Sequence, residues 1–358
     1  MTSTWLVTGG AGFIGTNFVR AAHNSTSAEL VILDLLTYAG NLANLEGLLS
    51  SPRIKFIKGD ICDAALIQDI FKRHDISKVV HFAAESHVDR SILGAAPFIK
   101  TNIEGTFTLL EAARRAWTEQ NGRLFLHVST DEVYGSLGPS DKPFDESSPY
   151  RPNSPYSASK AASDHLARAW HKTYGLPVVI SNCTNNYGPW QFPEKLIPLM
   201  ILNALEGKEL PVYGDGLQVR DWIQVEDHCE ALLAILEKGK AGETYAISGN
   251  NERSNIDIVN NICDAVDDLQ KKPRGTSKKL IRSVKDRPGH DRRYAIDSSK
   301  VQRELGWKPD HMLENELPKL AKWYIEHKKW ADDIRSGAYL DYYGKQYGGR
   351  TPKSQGVV

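Results

Sequence analysis

Short apolar runs recur along the first half of the chain, separated by longer stretches with helical spacing. Residues 5–8, 30–33, 54–57, 79–82, 124–128 and 178–180 form six such runs, rich in Val, Ile, Leu and Phe. Most are continuous rather than alternating, the pattern of strands buried on both faces. Between them, residues 12–23, 42–49, 64–74 and 97–117 place apolar side chains at helical intervals. In the first of these, Phe13, Ile14, Phe18 and Val19 share one side. Strand–helix alternation of this kind predicts a Rossmann-type, doubly wound parallel sheet with helices on both faces.

The pattern breaks after Asn182, where Pro189, Pro193 and Pro198 punctuate a loop-rich region. Helices are predicted at 196–205, 225–238, 256–269, 301–305 and 313–328, and a strand at 210–213. Residues 271–293 are basic and broken by Pro and Gly, and read as a loop. The resulting fold class is α/β, with a smaller C-terminal α/β lobe. Residues 1–188 form the first lobe, rejoined by segments near 220–250. Residues 189–340 are mainly the second lobe, and 351–358 a flexible tail. Two lobes suit a chain of 358 residues, because one hydrophobic core stops growing at roughly 250–300 residues.

Charge narrows the function. Lys+Arg and Asp+Glu both number 44, so a nucleic-acid-coating surface with a large basic excess is not expected. Nor is a membrane span or a signal peptide, since no long apolar run or basic leader occurs. Cys62, Cys183, Cys229 and Cys263 lie far apart without a Cys-x-x-Cys pair. No metal site is expected from them, and free thiols in a reducing cytoplasm fit best.

The first strand runs into Gly9-Gly10-Ala11-Gly12-Phe13-Ile14-Gly15 and then a helix. Glycines there permit a tight turn and close approach of a pyrophosphate to the helix N-terminus. Alone the pattern is weak, because glycines also serve ordinary turns. Asp34, closing the second strand, strengthens it. An acid at that point bonds a ribose 2′-hydroxyl and repels a 2′-phosphate, which favours NAD over NADP. Asp60, after the third strand, is placed beside the adenine, with a surface turn as the competing reading.

Tyr156 and Lys160 stand four residues apart on one helix face. A nearby ammonium lowers a phenol pKa and makes a base available. Tyr324 and Lys328 repeat the spacing in a late helix, where they read as a surface pair. The fifth strand ends in Thr130-Asp131-Glu132. Adjacent acids usually cap a turn. At the carboxyl edge of a parallel sheet they are also a candidate acid and base. His81 and His127, on apolar strands, read as core histidines.

The glycine turn, Asp34 and the Tyr156/Lys160 pair resemble the extended short-chain dehydrogenase/reductase superfamily. Residues 130–135, Thr-Asp-Glu-Val-Tyr-Gly, are similar to the nucleotide-sugar 4,6-dehydratases. The runs at 83–89, 36–41, 185–189, 220–222 and 286–291 are similar to the dTDP-glucose 4,6-dehydratases in particular. The resemblance implies loss of water from dTDP-glucose, with bound NAD as cofactor. It gives Tyr156 the role of base at C4, Lys160 that of its ammonium partner and Thr130 that of hydrogen-bonding the C4 oxygen. Glu132 would take the C5 proton and Asp131 would protonate the leaving C6 hydroxyl.

It also places Gly9, Gly12, Phe13, Ile14, Gly15, Asp34, Thr37, Asp60, Ile61, Ala83, Thr101, Tyr156, Lys160 and Asn186 around NAD. Around the nucleotide sugar it places Ser86, Thr130, Asn185, Lys195, Leu196, Pro211, Tyr213, Arg220, Asn255, Arg287 and His290. Arg220 and Arg287 suit a pyrophosphate, since a guanidinium offers forked donors. A solvated loop lysine is the competing, lesser reading of Lys195. The family also implies a homodimer without nucleic-acid or membrane partners. Three rivals remain: a UDP- or GDP-hexose 4,6-dehydratase, a nucleotide-sugar 4-epimerase, which needs no acid pair at C5 and C6, and a silent NAD-binding regulatory protein.

Overall fold

The computed structural model describes residues 3–119 and 121–335. The tail expected at 351–358 and the segment 336–340 lie outside the described residues. Among those described, the strands in chain order are β1 (Thr4–Thr8), β2 (Glu29–Asp34), β3 (Ile54–Lys58), β4 (Ile76–His81), β5 (Leu124–Thr130), β6 (Val178–Cys183), β7 (Asn185–Tyr187), β8 (Leu210–Tyr213), β9 (Val219–Gln224), β10 (Thr244–Ile247), β11 (Glu252–Ser254) and β12 (Ile281–Val284). Seven of them build one sheet in the order β10-β6-β5-β4-β1-β2-β3. Every neighbouring pair in it is parallel. The chain winds outward through β2 and β3, then returns past β1 to β4 and continues the other way. That reversal opens a crevice at the carboxyl ends of β1 and β4, where ligands bind in such sheets.

All six predicted strands of this sheet are present, and β10 is a seventh. It was not read from the sequence, although every one of its residues is buried. Its position follows from the helix Val225–Lys238, which returns to the sheet. That helix packs Val225, Leu232, Ile235 and Leu236 into the same core as Phe18 and Val19 of the helix Phe13–Ser25. Val301 and Leu305 of a later helix join them. A second core lies in the other lobe, where Ile197, Ile201, Ile258, Ile262, Leu317 and Tyr324 meet. Burying each such side chain contributes about 1.5–3 kcal/mol.

Several local expectations fail for identifiable reasons. Residues 42–49 form one 3-10 turn, Leu42–Leu45, and not a longer helix. There Asn44 bonds a distant carbonyl, that of Ala11, at 2.8 Å, and Gly47 takes a positive φ of 80°. The helix expected over 97–117 contains a π-helical stretch, Ile99–Gly105, before Thr106–Ala116. The supposed loop 271–293 contains β12, which pairs in parallel with β8. The last predicted helix ends at Glu326, and a separate helix follows at Lys328–Ile334. Tyr324 is not a surface residue. It is fully buried and donates its hydroxyl to the carbonyl of Gln191 at 2.9 Å.

The glycine turn is the tightest part of this framework. A Cβ on Gly15 would lie 2.1 Å from the carbonyl oxygen of Gly9. The Gly15→Ala substitution is therefore expected to cost about 1–3 kcal/mol through forced backbone movement. Denaturant unfolding of the purified variant reads this as a lowered midpoint, and an unchanged midpoint would contradict the close packing.

Candidate active site

The turn after β1 is built for an anion. Gly9 has φ of 72°, and a Cβ there would stand 2.6 Å from the amide nitrogen of Ala83. Gly12 is the N-cap of the helix Phe13–Ser25, with no side chain capping it and no acid in its first turn. The free N–H groups and the positive end of that helix therefore favour a phosphate. Asp34 accepts from the Ala11 amide at 2.9 Å and the Leu36 amide at 2.8 Å. Burial raises its pKa, and these two bonds oppose the rise. Asp34 thus braces the turn as well as facing the cleft.

One continuous cleft collects every residue expected around the dinucleotide, from Gly9 and Asp34 through Asp60, Ile61, Ala83 and Thr101 to Tyr156, Lys160 and Asn186. The uncapped helix, the glycine cradle and the acid after β2 fit NAD. Asp60 lies two residues beyond the end of β3 and caps its own turn through the Cys62 amide at 2.9 Å.

The chemistry-bearing end begins where β5 stops. Thr130 N-caps a short 3-10 turn, Asp131–Tyr134, its hydroxyl accepting from the Glu132 amide and donating to Asp131 Oδ1, both at 3.3 Å. The helix Pro155–Tyr174 presents Tyr156 and Lys160 to the same place. It starts cleanly because Ser154 and Ser157 form a capping box with Pro155 at the first position.

Burial, then the charges of Glu132 and Asp221, push Asp131 well above the usual carboxylate range, with Arg220 opposing. Burial also raises Glu132, but Arg287, Arg220 and Lys195 all draw it back. Both neighbours are thus raised by burial, and the surrounding cations oppose that rise more at Glu132 than at Asp131. Burial and the charge of Glu132 raise the Tyr156 phenol, while the neighbouring Thr130 hydroxyl opposes the rise. Lys160 Nζ donates to the Val128 carbonyl at 2.8 Å and does not bond the phenol. Burial brings the Lys160 ammonium down to about 8, with Asp164 opposing. The net push on Tyr156 is upward, contrary to the simple expectation of a phenol lowered by its lysine.

The residues expected around the sugar divide into two groups. Ser86, Thr130, Asn185 and Lys195 line the cleft. Lys195 is not a solvated loop lysine, since Nζ donates to the Ser86 carbonyl at 3.0 Å. Tyr213, Arg220, Arg287 and His290 form a second group beside the cleft. Asp89 accepts from the Tyr213 hydroxyl at 3.0 Å and pairs with Arg287 at 3.3 Å. Arg220 donates to the carbonyls of Val219 and Asp291 at 2.7 and 2.9 Å, its guanidinium over the Tyr294 ring. His290 bonds Asp286 at 2.6 Å. Leu196, Pro211 and Asn255 do not line the cleft, and Asp131 is buried between two residues that do, Thr130 and Glu132.

Sequence reasoning missed several wall residues, among them Glu85, Gln191, Phe192, Glu194 and His228. Asn102 was missed too. Its side chain clasps the backbone of Glu85 at 2.9 and 3.0 Å and donates to Ser159 at 2.8 Å. It sits on the π-helical turns, a geometry that recurs at functional sites and leaves no trace in composition. Among the described residues, no group of His, Cys, Asp and Glu could hold a metal ion.

A glycine turn with its acid, a Tyr/Lys helix and a charged second lobe over the crevice define a nucleotide-sugar enzyme of the extended short-chain dehydrogenase/reductase class. The profile of the GDP-mannose 4,6 dehydratase family matches residues 6–320. An Escherichia coli K12 dTDP-glucose 4,6-dehydratase is 53% identical over 358 residues, covering 96% of this chain and 99% of that protein. One from Xanthomonas campestris is 55% identical over 345 residues, covering 94% and 97%. The crystal structure of a Streptomyces venezuelae dTDP-glucose 4,6-dehydratase with NAD and TYD bound superposes with a TM-score of 0.85 at 46% identity, covering 92% and 99%. The chain belongs to the dTDP-glucose 4,6-dehydratase family.

Lys160 loses its charge as pH rises through about 8. Sugar oxidation that needs this ammonium is expected to slow over the same interval. A pre-steady-state pH profile without an alkaline limb there would remove Lys160 from that role.

Proposed function

We propose that this protein converts dTDP-glucose to dTDP-4-keto-6-deoxyglucose and water. The overall course is C4 oxidation, elimination across C5 and C6, and hydride return to C6. The observation that carries the reading is the pair of adjacent acids where β5 ends, Asp131 and Glu132, set beside Tyr156 and Lys160 at the cleft. A 4-epimerase has no use for that pair, and a silent binding protein has no need of it beside Tyr156 and Lys160.

The chemistry that NAD supplies when bound is reversible hydride storage, so no outside electron acceptor is consumed. Tyr156 takes the C4 hydroxyl proton, and Lys160, one turn along the same helix, is the cation assigned to offset the upward push that burial and Glu132 exert on the phenol. Thr130 holds the C4 oxygen. The ketone at C4 acidifies the C5 proton, which Glu132 removes while Asp131 donates a proton to the departing C6 hydroxyl. Water leaves and a C5–C6 double bond forms. The stored hydride then adds to C6 and Glu132 returns its proton to C5. Arg220 and Arg287 hold the pyrophosphate.

We place the protein in the cytoplasm, a reading supported by four unpaired cysteines. Among the described residues, no helix is long and apolar enough to cross a membrane. We also propose a homodimer. Leu109 and Leu110 are spent on the internal core, but Phe107 and Tyr174 on neighbouring helices stay exposed for a partner copy.

Incubation of the purified protein separately with dTDP-glucose, UDP-glucose and GDP-mannose tests the assignment. Loss of one water from dTDP-glucose alone, seen by mass spectrometry, is expected. Product from another nucleotide sugar overturns the substrate, and an isomer of unchanged mass overturns the elimination. Glu132→Gln is expected to cut turnover about 10²–10⁴-fold, the usual worth of a positioned base. Reduced-nicotinamide absorbance should still appear on mixing, because the block falls after C4 oxidation. A variant that turns over normally would clear Glu132 of this role.

A further inference from the structure

The glycine turn is held from behind as well as from the cleft. The Ala11 amide is fixed by Asp34, and the Ala11 carbonyl accepts from Asn44 Nδ2 at 2.8 Å and from the Asn41 amide at 3.1 Å. Asn44 is almost fully buried. Its own carbonyl accepts from Thr16 Oγ1 at 2.9 Å and from the Arg20 guanidinium at 2.6 Å, both on the helix that follows the turn. Its remaining side-chain oxygen, Oδ1, accepts from the indole Nε1 of Trp330 at 2.7 Å. Trp330 belongs to the short helix Lys328–Ile334, 286 residues further along the chain.

Trp330 also belongs to an aromatic cluster that reaches the other wall of the cleft. Its ring packs edge-on to Trp190 and Trp323 at 5.5 and 5.4 Å. Arg20 lies over Trp190 at 5.2 Å. Tyr324 bonds the Gln191 carbonyl, and Gln191 and Phe192 line the cleft. The C-terminal helices therefore touch the cofactor cleft at two points, the Ala11 turn through Asn44 and the 190–192 loop through the tryptophans.

We propose that Trp330 is a positioning residue for cofactor retention, acting through Asn44 to fix the pyrophosphate-binding turn. The inference rests on the reading that this cleft holds NAD. The proposed reaction needs such a device, because a hydride taken from C4 must return to the same sugar before the dinucleotide leaves. An amide side chain that donates forward to Ala11 and accepts from Trp330 transmits the position of one to the other. A buried hydrogen bond with no water to replace it is costly to lose.

The test compares NAD retention in the purified full-length protein with that in Trp330→Phe, which keeps the ring and removes the N–H. Released NAD is followed after dilution by trapping with a coupled dehydrogenase, without sugar substrate. Trp330→Phe is expected to release NAD about 10-fold faster, with a higher KM for added NAD and nearly unchanged kcat at saturating NAD. Asn44→Asp, which keeps an acceptor for the indole but loses the donor to Ala11, should release it faster as well. Trp323→Phe, which alters the cluster but leaves the Trp330 N–H in place, should not. Release at the parent rate from either Trp330→Phe or Asn44→Asp overturns the proposal. Equal acceleration in all three variants also overturns it, since general loosening would then suffice. If Trp330→Phe fails to fold, Asn44→Asp alone decides. A parent protein that binds no NAD would instead overturn the cofactor reading itself.

Discussion

Two carboxylates at the end of a buried strand repel each other and resist burial. This structure tolerates them because cations from the second lobe converge on one of the two. Arg287, Arg220 and Lys195 all bear on Glu132, whereas Asp131 has Arg220 against the added charge of Asp221. Unequal neighbours give the two acids unequal pulls, the asymmetry that an acid–base pair requires. The same constraint joins the lobes, since the strand belongs to the sheet and Arg220 and Arg287 belong to the other side. The guanidinium groups proposed to hold a pyrophosphate are thus also the ones whose charge bears on Glu132.

The opposite end of the cleft shows a similar economy. Asp34 faces the cleft and also ties down the Ala11 amide. Asn44 completes the grip on the same peptide from behind. Backbone groups that would otherwise wander are fixed by side chains whose other atoms are already engaged, which keeps the anion site preorganised.

Much of this was legible in the sequence, and the boundary is physical. Continuous apolar runs report burial on both faces, so β1 to β6 were readable. Gly9, Gly12, Gly15 and Asp34 were readable because they serve a local turn whose demands fall on adjacent residues. Length did not decide the rest: β8, as short as β10 and β12, was readable, whereas the longer β9 was not, because Arg220, Asp221 and Gln224 interrupt its apolar run. Asn102 and Asn44 could not be found, because each acts through partners remote in the chain. The electrostatic state of Tyr156 also resisted. Spacing to Lys160 predicted a lowered phenol, but the net shift depends on burial and on Glu132, neither of which spacing encodes.

The chain passes repeatedly between the two cores. After β6 it enters the second lobe, comes back for the helix Val225–Lys238 and β10, leaves for β11 and β12, returns near Val301 and leaves again for Leu317 and Tyr324. A lobe stitched in by so many passages is not a cassette. It cannot be excised, or grafted from a relative that handles a different sugar, without cutting the sheet that carries the cofactor. Divergence on this scaffold must therefore proceed by changing side chains in place, and an engineer who wants a new substrate is bound by the same seam.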